Sequence, residues 1–182
     1  MTNILIRILF LQCLFSSSAF AQYGAPDGQW PTYGGDLGHT RYSALDQIDA
    51  SNFSDLEVAW RFKTDNLGPS PEYRLQATPL MVDGTIYTTA GTRRAVVALD
   101  AQTGELLWKF SIDEGERGAF APRQLSGRGL AFWQNEDQSK VIYVTPGYQM
   151  VALNADSGQP VADFGNNGVV DLKQNADQQI DL

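Results

Sequence analysis

From Pro79 onward, apolar residues come in short runs separated by turn residues, and no long segment carries the 3.6-residue apolar period of an amphipathic helix. The pattern predicts an all-β chain. Leu80 to Val82 is one apolar run, Asp83-Gly84 a two-residue hairpin turn, and Thr85 to Thr89 a run of strand formers. After a turn at Gly91 to Arg94, Val96 to Leu99 is a continuous apolar strand of the kind covered on both faces. Gln102-Thr103-Gly104 then turns the chain into Leu106 to Phe110. Four antiparallel strands in sequence make one meander.

The order recurs, with strands expected at Gly129 to Trp133, Val141 to Thr145, Met150 to Leu153 and, after Asp156-Ser157-Gly158, Pro160 to Phe164. Aligning VVALDAQTG with MVALNADSG places Ala98 on Ala152. Upstream, LEVAWRF at Leu56 to Phe62 resembles the last strand of the first meander, so it is expected to close a blade begun elsewhere in the chain. Residues 22–55 read as an N-terminal arm, rich in Gly, Tyr and Trp over Gln29 to Ser43, with one helical turn near Ser51 to Leu56. The repeat predicts a partial β-propeller of about two four-stranded antiparallel blades, 79–110 and 129–164, with 165–182 an incomplete continuation.

The segment ALDAQTGELLW, Ala98 to Trp108, is the most informative part of the repeat. A small residue and a glycine clear a surface that an indole can cover, and the indole N–H needs a partner when buried. Tryptophans repeated in this way would lock each blade to its neighbour. In the second copy the corresponding position is Ala162.

The first 21 residues, MTNILIRILFLQCLFSSSAFA, have the positive start, short apolar run and Ala-x-Ala ending of a cleavable export signal, which predicts a periplasmic protein. The apolar run is shorter than a membrane span needs, and Cys13 lies within it in a poor context for lipidation. Removing the signal removes the only cysteine, so no disulfide framework is available. The whole chain carries a formal charge of −8, which argues against nucleic acid as a partner. His39 is the only histidine; with no Cys, His or clustered carboxylates nearby in sequence, it is read as a turn residue rather than a metal ligand.

The stretches QWPTYGGDLGHTRYSALDQI, LEVAWRF, QATPLMVDGTIYTTA, ALDAQTGELLW, GRGLAFW and FGNNGVVDLKQ together resemble the N-terminal part of the pyrroloquinoline quinone (PQQ) dependent dehydrogenases, quinoproteins of the glucose or alcohol dehydrogenase type. The last stretch is closer to the membrane-type glucose branch than to the methanol branch. The resemblance implies an eight-bladed propeller holding PQQ and a calcium ion near its axis. It also implies oxidation of a sugar or alcohol, electrons passed to quinone or cytochrome, and peripheral membrane association of the full-length protein.

By position the resemblance assigns Arg128 of GRGLAFW and Gln76 to cofactor binding. A guanidinium can donate a forked pair of hydrogen bonds to the oxygens of a tricarboxylate quinone. Gln76 stands where many relatives carry glutamate; its amide donates without having to hold a proton, so the swap is compatible with binding. A turn or surface role for Gln76 is the alternative. Where alcohol-oxidising relatives place adjacent cysteines, this chain has Pro122-Arg123. The catalytic base and the calcium ligands of the family are expected beyond residue 182, so no catalytic or metal residue is assigned here, and the 182-residue chain alone is expected to be inactive. Two other readings are a non-catalytic scaffold of the outer-membrane assembly type and a ring built from several copies of the chain.

Overall fold

A computed structural model describes residues 24–70, 72–124 and 129–175. The expected export signal over residues 1–21, Arg128 and the last residues of the chain lie outside them. The first sheet comprises β1 (Leu80–Val82), β2 (Thr85–Ala90), β3 (Ala95–Asp100) and β4 (Leu106–Phe110), paired antiparallel in that order. The second comprises β5 (Ala131–Gln134), β6 (Ser139–Val144), β7 (Gln149–Asn154) and β8 (Val169–Asp171), also in chain order. Both are the meanders expected of propeller blades. Among the described residues no helix is long and apolar enough to cross a membrane.

The repeat rests on a shared turn. Asp100 accepts hydrogen bonds from the Gln102 and Thr103 amides and from the Thr103 hydroxyl, at 3.0, 2.7 and 2.9 Å. Asn154 does the same for the Asp156 and Ser157 amides and the Ser157 hydroxyl, at 3.1, 2.8 and 2.9 Å. A side chain that closes its own turn in this way fixes where the third strand ends and the chain reverses. The turns finish at Gly104 (φ +73°) and Gly158 (φ +69°), a left-handed conformation that favours glycine.

These two glycines also receive the indoles. A β-carbon on Gly104 would come within 2.5 Å of the Trp60 ring, and one on Gly158 within 2.5 Å of the Trp108 ring. Trp60 Nε1 donates to the Ala101 carbonyl at 3.1 Å, and Trp108 Nε1 to the Ala155 carbonyl at 2.8 Å. Each tryptophan therefore seats on the turn of the blade that follows it, not on its own.

β3 is buried on both faces. Val96 and Ala98 join Leu80, Tyr87, Val141 and Leu153 in a core shared by the two sheets, with Trp108 packed against it. Val97 and Leu99 face the other way, under Trp60, Phe62 and Leu67. The Tyr87 hydroxyl crosses the interface to the Ala155 carbonyl at 3.3 Å. Burial is the main reason its phenol is pushed above the ordinary value.

Two expected elements are corrected. Residues 56–62 form no strand and have no ladder partner among the described residues; Trp60 and Phe62 nonetheless pack against the first blade. The fourth strand of the second blade is Val169–Asp171 and not Pro160 to Phe164. Pro160 makes a single bridge to Leu153, and the chain then reverses through Phe164 and Gly168 before β8 takes the edge of β7. Proline lacks the N–H that a continuing ladder requires. As a result Ala162 is not the counterpart of Trp108. Trp108 lies opposite Ala98, whereas Ala152 donates its amide to the carbonyl of Gly168, so β8 brings no indole.

The arm attaches to the first blade by paired backbone hydrogen bonds between Trp30 and Met81, 2.7 and 3.1 Å. One helical turn occurs at Phe53–Asp55, where it was expected. His39 has φ +54° and sits in a turn. Asp36, only 2% exposed, organises the arm: it accepts from the Gly24 amide, the Thr40 amide and the Thr40 hydroxyl, each at 2.9 Å. The Thr40 amide is the foremost of the groups holding its carboxyl below the ordinary range. A depressed carboxylate contributes stability above its unfolded pKa and loses it as pH falls through the folded one. Asp36→Ala is therefore expected to speed amide exchange at Gly24 and Thr40 at neutral pH, and acid below the ordinary carboxylate range should reproduce the effect in the parent. Unchanged exchange would show that the arm is held by other contacts.

Candidate cofactor cleft

Because both blades are meanders, β1 and β5 begin, and β4 ends, at the same end as the β2–β3 and β6–β7 turns. An open cleft of about 780 Å³ lies at this end. Its charged and amide lining comes from Arg74 and Gln76 before β1, Arg93 and Arg94 in the β2–β3 turn, and Asp113, Glu114, Arg123 and Gln124 in the linker between blades. A second hollow of about 550 Å³ shares Arg94, Arg123 and Pro146 with the first and is lined further by Tyr143 and Thr145. Burial, aided by the Glu114 charge, pushes the Tyr143 phenol well above its ordinary value, so it remains a hydroxyl.

The linker is held in place by two side chains. Glu114 accepts from the Thr145 hydroxyl at 2.6 Å and the Gly147 amide at 2.8 Å. Arg117, in the single helical turn α1 (Glu116–Ala119), donates to the Gly147 carbonyl at 2.5 Å and the Tyr148 carbonyl at 3.3 Å, and forks onto Asp171 of β8 at 2.8 and 2.5 Å. That fork is the main cause of the Asp171 carboxyl lying far below the ordinary range. Together they staple the linker onto the β6–β7 turn.

Arg94, 4% exposed, crosses between blades and donates to the Val144 carbonyl at 2.9 Å and the Arg123 carbonyl at 3.0 Å. Arg93 pairs with Asp113 at 3.0 Å. Four guanidiniums thus line one cleft in a chain of net charge −8. The two carboxylates there are engaged with Arg93, Thr145 and Gly147. The lining suits an anion, and a ligand carrying several carboxylates best, since guanidiniums pair with carboxylates in a fork.

Gln76 is exposed and lines this cleft. Arg128 lies outside the described residues. The residues after it, Gly129 and Leu130, line the second hollow. Pro122 and Arg123 both face the first cleft. The sequence reading did not single out Arg94, Glu114 or Arg117. The dipeptide Arg93-Arg94 in a turn was the visible signal for the first, while Glu114 and Arg117 look like surface charges until their partners are known. Among the described residues no group of three or more His, Cys, Asp or Glu side chains converges as a metal site.

Residues 30–181 match the family described as "Glucose/ethanol/alcohol dehydrogenase, beta-propeller domain". The quinohemoprotein alcohol dehydrogenase of Comamonas testosteroni is 33% identical, the match covering 84% of this chain and 23% of that protein. Quinoprotein glucose dehydrogenase A of Acinetobacter calcoaceticus is 30% identical over 86% of this chain and 22% of its own length. The solved structure of the quinohemoprotein alcohol dehydrogenase ADHIIG of Pseudomonas putida HK5 superposes with a TM-score of 0.65 and 31% identity, covering 81% of this chain and 19% of that one. Alcohol and glucose enzymes match at similar identity. The chain spans about a fifth of the length of these relatives. Two docked β-meanders, the cationic cleft at their shared end and a family match over most of the sequence lead to one conclusion: this chain belongs to the β-propeller family of the PQQ-dependent glucose and alcohol dehydrogenases.

Proposed function

We propose that this chain forms two blades of a periplasmic PQQ-dependent dehydrogenase that oxidises the CH–OH group of a sugar or alcohol and passes electrons to quinone or cytochrome. The observation that carries the reading is the arginine-lined cleft at the common end of the blades, a cationic lining in an acidic chain that suits a tricarboxylate. Export is supported by the zones of the first 21 residues. When bound, PQQ supplies a quinone that accepts a hydride equivalent from the substrate carbon.

The part of this chain is to seat and orient the cofactor. Arg128 would present its guanidinium to quinone or carboxylate oxygens, and Gln76 would donate its amide N–H where a glutamate would first have to be protonated. Arg94 holds the β2–β3 turn of one blade against β6 of the next, so that the two walls of the cleft keep a fixed separation. Calcium would act as a Lewis acid in this class of chemistry. Its ligands and the catalytic base are those the family resemblance places beyond residue 182.

The test is to titrate PQQ, with calcium present, into the protein made from the complete reading frame, and to follow dye reduction with aldoses and alcohols. Saturable PQQ binding and PQQ-dependent reduction are expected. Arg128→Ala should weaken PQQ on the order of 10- to 100-fold, the range of a charged hydrogen bond. PQQ binding that ignores Arg128, or no turnover of any alcohol or aldose, would sink the assignment and favour a scaffold.

A further inference from the structure

The two blades share a clasp. In the first, Glu72, on the segment that enters β1, accepts from the amide of Gly91 in the β2–β3 turn at 2.9 Å. In the second, Glu114, on the linker that enters β5, accepts from the amide of Gly147 in the β6–β7 turn at 2.8 Å. Each time a glutamate on the incoming segment holds a glycine in the turn between the second and third strands of the blade it leads into. The first incoming segment carries Gln76 and the second carries Arg128, the two residues assigned to cofactor binding.

The second clasp grips its glycine from both sides. Arg117 donates to the Gly147 carbonyl at 2.5 Å while Glu114 takes its amide. A β-carbon on Gly147 would come within 2.5 Å of the Glu114 carboxylate and 2.8 Å of the Arg117 side chain, so only a glycine lets both approach. Its backbone lies outside the left-handed region, and the need for glycine therefore comes from this approach and not from φ. Neither Gly147 nor Arg117 lines either hollow, whereas Pro122 and Arg123, further along the same linker, line the first. An effect of Gly147 on a ligand in the cleft must pass through the position of the linker.

We propose that Gly147 is a positioning residue for the cofactor. Clasped by Glu114 and Arg117, it sets the linker against the β6–β7 turn and so fixes where Arg128 presents its guanidinium, without itself touching PQQ. The inference rests on the dehydrogenase reading above. A methyl group at Gly147 either displaces the linker or breaks the clasp. A displacement of about 1 Å, imposed far from the reacting atoms, can cost on the order of 100-fold.

The experiment titrates PQQ, with calcium present, into the complete protein and follows tryptophan emission. Gly147→Ala is expected to raise the Kd roughly 10-fold. Arg117→Lys, which keeps the charge and gives up the fork, should act in the same direction by a smaller factor, and it stands in for the alanine variant if that one fails to fold. Because the glycine acts through Arg128, Gly147→Ala should cost much less in an Arg128→Ala background than in the parent. Hydrogen exchange in the PQQ-free protein supplies a second readout: the Ala119 and Phe120 amides, bonded back to Gly115 and Glu116, should exchange faster in Gly147→Ala. An unchanged Kd overturns the proposal. So does a cost that is the same with and without Arg128, because the glycine would then support the fold alone. If the parent binds no PQQ, the dehydrogenase reading fails and takes the cofactor role with it, while faster exchange in the linker still upholds Gly147 as the residue that positions it and unchanged exchange removes that role as well.

Discussion

Replacement of Trp108 by alanine is expected to lower the free energy of unfolding by about 3 kcal/mol, toward the lower end for a large aromatic because the ring is only partly buried. Three contributions are lost together. The indole face leaves the surface of Gly158, its N–H no longer satisfies the Ala155 carbonyl, and Tyr87, whose ring centroid lies 6.0 Å away, loses an aromatic neighbour. Gly158→Ala should damage the same joint from the other side, since the new β-carbon would sit 2.5 Å from the ring on a backbone of φ +69°. Because both changes act on one contact, the double variant is expected to cost much less than the two single costs combined. Urea unfolding followed by tryptophan emission and by circular dichroism would measure this. Additive costs would mean that the ring and the turn are energetically independent, contrary to the geometry.

Arg117→Ala should be the most damaging single change at the cleft end, at about 2–3 kcal/mol, because it leaves Asp171 and two carbonyls without their donor in a partly buried place. The side chains of the pair are only 19% and 24% exposed, so solvent screening removes less of this effect than at a surface pair. The pH dependence follows from Asp171. Its folded pKa is depressed, so the contribution is fully present above the unfolded carboxylate value and fades as pH falls through and below the ordinary carboxylate range. The parent should therefore lose stability on acidification by more than Arg117→Ala does, and the two curves should converge in acid. Arg117→Lys keeps the charge but not the fork, and is expected to recover only part of the loss. Parallel curves for parent and alanine variant would show that the ion pair contributes nothing to folding.

Much of the first blade was legible because its signals are local. Asp83-Gly84 reads as a hairpin turn whatever surrounds it, and both residues have positive φ, as a type I′ turn demands. Val96 to Leu99 announces burial on both faces by being apolar throughout. The second blade failed where a local signal misled: Val161 and Phe164 look like a strand, yet Pro160 ends the pairing, and the glycine-asparagine run from Gly165 to Gly168 is the true hairpin signal before β8. The segment around Trp60 failed for the opposite reason, since a strand depends on a partner that its own residues do not specify.

At the cleft, Gln76 was singled out by resemblance, and it is one of the lining residues. Arg94, Glu114 and Arg117 were not found, because their roles depend on partners 29 to 54 residues away: Arg123 and Val144 for the first, Thr145 and Gly147 for the second, Asp171 for the third. No periodicity or spacing rule joins residues across such gaps. An isolated charge in a linker carries the same signal whether it faces solvent or closes a joint.

The forward reach of the indoles has a consequence for how the chain is made. A ribosome delivers Trp60 before the Gly104 turn exists, and Trp108 before the Gly158 turn. Each new turn therefore meets a ring that has already emerged, and blades can be added one at a time in the direction of synthesis. Docking in the reverse sense would leave every finished blade waiting on a tryptophan not yet translated, with its apolar face bare for the whole interval. The polarity of the joint spares the nascent protein that exposure.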